Sequence, residues 1–142
     1  MENNSVIFMA LNCFDKALEI NPNNYLALYN KGGIKASIQR FDDAIDFYDR
    51  VIELNPKFPY VYDSRGIAYG KTRGFNEALK DFDKAIQLNP NFQQAYYNKA
   101  AALMNLKRYD EAIKSIDQAI NLNPKDTDSV NLKNTIIKKM RG

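Results

Sequence analysis

The residues best placed by type to do chemistry are Gly66, Gly70, Lys71 and Thr72, in the order of a loop that wraps phosphate with backbone N–H groups and a lysine. Such a loop needs four residues between its glycines and a buried strand before them. Here three intervene and no strand pattern precedes Gly66, so nucleotide binding is not expected. The carboxylate pairs Asp42-Asp43 and Asp110-Glu111 are of a type that holds metals or moves protons. They stand where helices are predicted to start, where the helix dipole favours negative charge and a side chain can cap free N–H groups. The capping reading is preferred, with Asp42 and Asp110 opening their helices. The chain has no histidine and one cysteine, Cys13, which rules out the common zinc sets, a histidine-based triad and an intramolecular disulfide. Cys13 is expected to pack, and a lone cysteine fits a reducing compartment or indifference to redox state. No metal and no cofactor are called for, and the protein is predicted not to be an enzyme.

Charge is as uninformative about partners as it is balanced. Against 17 acidic side chains stand 20 basic ones, a net +3 spread along 142 residues. That gives no basic stripe for specific nucleic-acid binding and no polybasic patch for a membrane surface. No apolar run approaches the roughly 18–20 residues of a membrane span. The first apolar run, from Val6 to Leu11, follows Glu2 without any Lys or Arg, so it does not read as a signal peptide. A cytoplasmic location is the resulting expectation.

What organises the chain is a recurrence. Asn21-Pro22, Asn55-Pro56, Asn89-Pro90 and Asn123-Pro124 are spaced 34 residues apart each time, and a strict period of that kind marks a stacked repeat array. Residues 25–58, 59–92 and 93–126 align without a gap, with Ala44, Ala78 and Ala112 coinciding and Phe41, Phe75 and Tyr109 three positions earlier. Apolar spacings of three and four, as in Ala44, Ile45, Tyr48, Val51 and Ile52, predict an amphipathic helix in each second half. In the first unit, helices are expected over about 25–38, capped by Asn24, and about 43–54. Pro59 suits a helix start, and Gly74 suits a turn that needs positive φ. Gly32 and Ala44 are small because two helices cross there, so Ala78→Leu is expected to overpack the crossing at about 1–3 kcal/mol.

The unit 59–92, with Tyr62, Gly66, Tyr69, Ala78, Phe82, Ala85 and Pro90, resembles the tetratricopeptide repeat. The flanking units match in part, through Leu28, Gly32, Ala44, Tyr48 and Pro56, and through Tyr96, Ala100, Ala112, Ala119 and Pro124. Lys31, Arg65 and Lys99 replace the family's leucine. The resemblance implies an all-α, right-handed solenoid: a half repeat over 1–24 with only its second helix, repeats over 25–58, 59–92 and 93–126, and a polar capping helix over 127–142. The helix of the half repeat is expected to be capped by Asn4 or Ser5, whose side-chain oxygens can accept free N–H groups of the first turn.

In this family the first helices line a concave groove that receives a partner peptide. Carried over, the partner-binding positions are Tyr29 and Asn30, then Tyr60, Asp63, Ser64 and Lys71, then Gln94, Tyr97, Asn98 and Asn105, with Leu26, Gly33, Ser37, Ile67 and Ala101 between them. Tyrosines supply rigid contact area and asparagines both donate and accept, which suits an extended chain of limited sequence demand. Some members clamp a C-terminal carboxylate with lysine, asparagine and arginine. Those positions here hold Tyr29, Gly33, Ser64, Gln94 and Asn98, so acidic chaperone tails are not expected to bind specifically. The implied function is protein or peptide binding. The alternative is self-assembly as a homodimer through Val6, Phe8, Met9, Leu11 and Phe14 of the uncovered first helix.

Overall fold

The computed structural model describes residues 2–142, which form eight α-helices and no strand: α1 (Glu2–Ile20), α2 (Tyr25–Ser37), α3 (Phe41–Leu54), α4 (Pro59–Lys71), α5 (Phe75–Leu88), α6 (Gln93–Asn105), α7 (Tyr109–Leu122) and α8 (Thr127–Arg141). The Asn-Pro anchors explain where the second helices stop. Proline cannot continue a helix, and the preceding asparagine folds its side chain back to accept the N–H two residues on. Asn21, Asn55, Asn89 and Asn123 all do so, at 3.0–3.3 Å. Asn24 then caps α2 through the Ala27 N–H, and Pro59 stands at the first turn of α4.

The turns inside each unit work differently from expectation. Gln39, Arg73 and Lys107, again one period apart, take positive φ of 64°, 65° and 59°. The residue after each sends its N–H back to the carbonyl of Lys35, Tyr69 or Leu103, at 2.7–2.9 Å. This is a left-handed helix stop running straight into the next helix. Gly74 therefore has φ −82° and supplies no positive φ. Asp42 and Asp110 are not caps either. α3 and α7 begin at Phe41 and Tyr109, which puts these acids inside the first turn, and neither helix has a side-chain cap. The acids of the first turn act through the dipole and through the ion pairs Arg40–Asp43 and Arg108–Glu111. α1 likewise starts at Glu2, leaving Asn4 and Ser5 inside it.

Pairing within a unit rests on complementary volumes. A Cβ on Gly32 would lie 2.6 Å from Cε1 of Tyr48, and one on Gly66 would lie 2.6 Å from Cε1 of Phe82. In the third unit the equivalent positions are Ala100 and Ile116, both fully buried: as one partner gains a methyl the other gives up its ring. Two buried clusters, one from Leu28 to Ala95 and one from Ala78 to Ile136, run through the stack. α1 contributes no buried residue to either, because it packs on α2 alone.

The stack has an inside and an outside. α2 touches α4, α4 touches α6 and α6 touches α8, whereas among the described residues α1, α3, α5 and α7 make no contact with one another. The first helices are therefore crowded on the inner side of a bend and the second helices are splayed outward.

Candidate functional site

The inner face is built from helix positions three and four apart on α2, α4 and α6. Tyr60, Gln94, Asn30, Lys71 and Asn105 are exposed there, and Tyr29, Tyr97, Ser64 and Asn98 are half-buried. Their side chains are tied across neighbouring helices. The Tyr29 hydroxyl lies 2.9 Å from Ser64 Oγ, and the Asn98 amide donates to Asp63 Oδ1 at 3.0 Å. Gln94 reaches back toward Asn98 at 3.4 Å, and Asn105 donates to the Ala101 carbonyl. Above this face an edge-to-face chain of rings runs from Tyr25 through Phe58 and Tyr60 to Phe92, with centroids 5.3–5.5 Å apart.

Of the ten positions expected to meet a partner, Asp63 is withdrawn. It is only 6% exposed. Burial pushes its carboxyl up to about 6, and the hydrogen bond from Asn98 pulls it part of the way back. Asp63 acts on the surface by holding Asn98. Burial also raises the Tyr48 phenol to about 12, keeping it neutral beneath Tyr29. The Gly66–Thr72 stretch is helical through Lys71, so no loop exists there to wrap a phosphate. No group of three or more potential metal ligands occurs among the described residues.

Three depressions interrupt the face, one of them beside Gln94 and Tyr97 at the α8 end. Another, of about 250 Å³, lies between α4 and α6 over the rings of Phe75 and Phe82. The third, at the α1 end, is lined by Phe14, Tyr29, Gly33 and Ser64.

Models of the tetratricopeptide repeat match residues 25–58 and 75–136, together more than half of the chain. The chain belongs to the tetratricopeptide repeat family. Its fold is similar to the first tetratricopeptide domain of Spaghetti (RPAP3) bound to the HSP90 peptide SRMEEVD. The TM-score is 0.80 at 27% identity, covering 83% of this chain and 94% of that one. It is also similar to the first such domain of human RPAP3, with a TM-score of 0.81 at 27% identity over 85% of this chain and 95% of that one. MamA shares the fold at 21% identity, with a TM-score of 0.88 over 98% of this chain and 81% of MamA. No curated protein matches the chain.

This tetratricopeptide array departs from its family where Lys31, Arg65 and Lys99 replace leucine, and the structure supplies the reason. Asp15–Lys31, Asp49–Arg65, Asp83–Lys99 and Asp117–Lys133 are ion pairs of 2.6–2.8 Å, each linking a second helix to the first helix of the following unit. Acid and base are always 16 residues apart and the pairs recur every 34. That regularity stands in the sequence and identifies the ladder. Arg65 goes further, with two more bonds to the buried Asp81 at 2.8 and 2.9 Å.

On α1, Val6, Phe8 and Met9 are 66%, 72% and 63% exposed, while Leu11 and Phe14 are half-buried. Cys13, expected to pack, is exposed among them. The helix is apolar on more sides than one neighbour can cover. Among the described residues no helix is long and apolar enough to cross a membrane.

Proposed function

We propose that the chain is a protein-interaction module that holds an extended peptide or partner segment on the inner face of α2, α4 and α6. The observation carrying this reading is that face itself: a concave surface of tyrosine rings and amide side chains on rigid helices. Rigid aromatic area loses little entropy on binding, and amide side chains can meet both the N–H donors and the C=O acceptors of a peptide backbone. The likeness to a domain bound to an HSP90 peptide supports the class of ligand. The reading is non-enzymatic, since nothing on the face pairs a nucleophile with a base. Truncating Tyr97 to Ala should weaken a ligand anchored there by about 1–3 kcal/mol. A photo-crosslinking residue at position 97 should capture the same partner as one at position 30, and one at Gln118 on the outer helix α7 should not. Capture at 118 alone would place binding on the wrong side for this reading.

A second reading is favoured by one observation, the exposure of Val6, Phe8 and Met9. α1 carries Phe8 and Met9 where the other second helices carry Asp42-Asp43, Asn76-Glu77 and Asp110-Glu111. Covering each large side chain is worth roughly 1.5–3 kcal/mol before the cost of association, enough to support a homodimer through α1. A two-fold pairing fits better than head-to-tail growth. Growth would seat α8 on α1 of the next copy, and α8 has Asn134 where Gly32, Gly66 and Ala100 keep the crossing narrow. Light scattering at micromolar concentration should show a dimer that Phe8→Asp with Met9→Asp dissociates. A monomeric parent would end this reading.

A further inference from the structure

The depression between α4 and α6 is lined by Gly70, at a position that the three units fill differently. At the same position of the helix the first unit carries Ala36, the third carries Met104, and the middle unit carries Gly70. A Cβ built on Gly70 meets no atom within 4 Å. The side chain that would fill this place is simply missing, which opens a socket of about 250 Å³ floored by Phe75 and Phe82 and walled by Ala101. That lies below the roughly 300–1,000 Å³ of most small-molecule sites and suits a single aliphatic side chain. At its mouth stands Lys71, exposed and without an ion-pair partner among the described residues, whereas the bases of the stacking ladder are all paired.

We propose that this socket is the specificity pocket of the groove: it takes one leucine- or methionine-sized side chain of an extended partner segment, with an acidic residue beside it for Lys71. The inference rests on the inner face being the partner-binding surface and adds the chemistry of the segment. Apolar walls reward an aliphatic side chain over alanine, and an unpaired lysine at the rim rewards an adjacent carboxylate. A free chain end is not required, because no other cation faces the socket. The segment is therefore read from within a chain.

The test uses the 142-residue protein and the blocked peptide acetyl-Gly-Ser-Leu-Glu-Glu-Ser-Gly-amide, followed by amide chemical shifts. The controls are the same peptide with alanine for leucine, the same peptide with glutamine for glutamate, and 3-methylbutanol as a bare aliphatic probe. The leucine peptide should move the Gly66, Gly70 and Ala101 signals. The alanine peptide should bind about tenfold more weakly, and the glutamine peptide should bind more weakly and lose its salt dependence. Gly70→Met, which copies Met104, should remove the leucine preference while raising the unfolding midpoint, since glycine is a poor helix former. Equal binding of leucine and alanine peptides, with shifts at Tyr29 and Tyr97, would leave the groove reading standing and overturn the socket. A leucine preference that survives Gly70→Met would overturn it too. Binding of 3-methylbutanol as tight as that of the peptide would make the socket a small-molecule site instead. Shifts absent from α2, α4 and α6 altogether would sink both readings.

Discussion

The Asn98 amide donates to the Asp63 carboxylate across 3.0 Å, joining α6 to α4 beneath the inner face. The bond is bought at an electrostatic cost, because burial holds the folded-state pKa of Asp63 at about 6, against 3.8 for the free group. A carboxyl with a raised folded pKa binds its proton more tightly in the native state. Its contribution is thus most favourable below about pH 4 and is lost as pH rises through 6. The difference is on the order of 3 kcal/mol at neutral pH. Asp63→Asn should therefore be more stable than the parent at pH 7 and close to it at pH 4, by denaturant midpoints. A variant less stable at both pH values would show that the carboxylate is better satisfied than its burial implies.

The peptide SRMEEVD, seen with the similar domain of Spaghetti, makes a direct probe of chain-end recognition. Tyr29, Gly33, Ser64, Gln94 and Asn98 put no cation where some family members hold a terminal carboxylate. Any binding of this peptide should be unchanged, within about twofold, when its C-terminus is amidated, because charge-assisted bonds to the carboxylate are lacking. A calorimetric titration in which amidation abolishes micromolar binding would refute this.

The four steps of the ion-pair ladder should differ in worth. Asp83 is more than half exposed and Lys99 about a third, so water screens the pair and Lys99→Ala should cost about 0–1 kcal/mol. Arg65→Met strands Asp81, which is 4% exposed, and should cost about 3 kcal/mol. Adding Asp81→Ser, after Ser115 at the same place in the third unit, should restore most of that loss. Equal costs for Lys99→Ala and Arg65→Met would mean Asp81 finds another partner.

The period of 34, Asn24 as a cap, Pro59 at a helix start and the narrow crossings at Gly32 and Gly66 could all be read from residue types, because each is a local demand of backbone or volume. The pairs Tyr29–Ser64 and Asp63–Asn98 could not, since they span 35 residues and depend on how far one unit is rotated on the next. Cys13 is exposed, against the expectation from its residue type, because α1 packs on one neighbour instead of two. The turns are not legible either, because the positive φ falls on a long polar residue, Arg73, one position before the glycine at 74. Gln39, Arg73 and Lys107 occupy a conformation that costs ordinary residues about 1–2 kcal/mol. Replacing each with glycine should raise stability by about 0.5–1 kcal/mol, less than the strain relieved because glycine loses more chain entropy on folding. The triple variant should unfold at a distinctly higher temperature in a circular dichroism melt, and no gain would mean the strain is offset by contacts of the long side chains.

The crossing of α4 and α5 offers the sharpest check on the packing argument. Gly66→Ala places its methyl 2.6 Å from Phe82 Cε1, in a ring buried on all sides, and overpacking of this kind costs about 1–3 kcal/mol even after the gain in helix propensity. Phe82→Ile alone leaves a gap and should cost about 1 kcal/mol or more. Together they recreate the Ala100–Ile116 pair of the third unit, where both residues are fully buried. The double variant should therefore lose at least about 1 kcal/mol less than the two single losses combined, the mark of residues that share one space. Strict additivity in denaturant unfolding would mean that neighbours of Phe82, and not Gly66, set the room available to the ring.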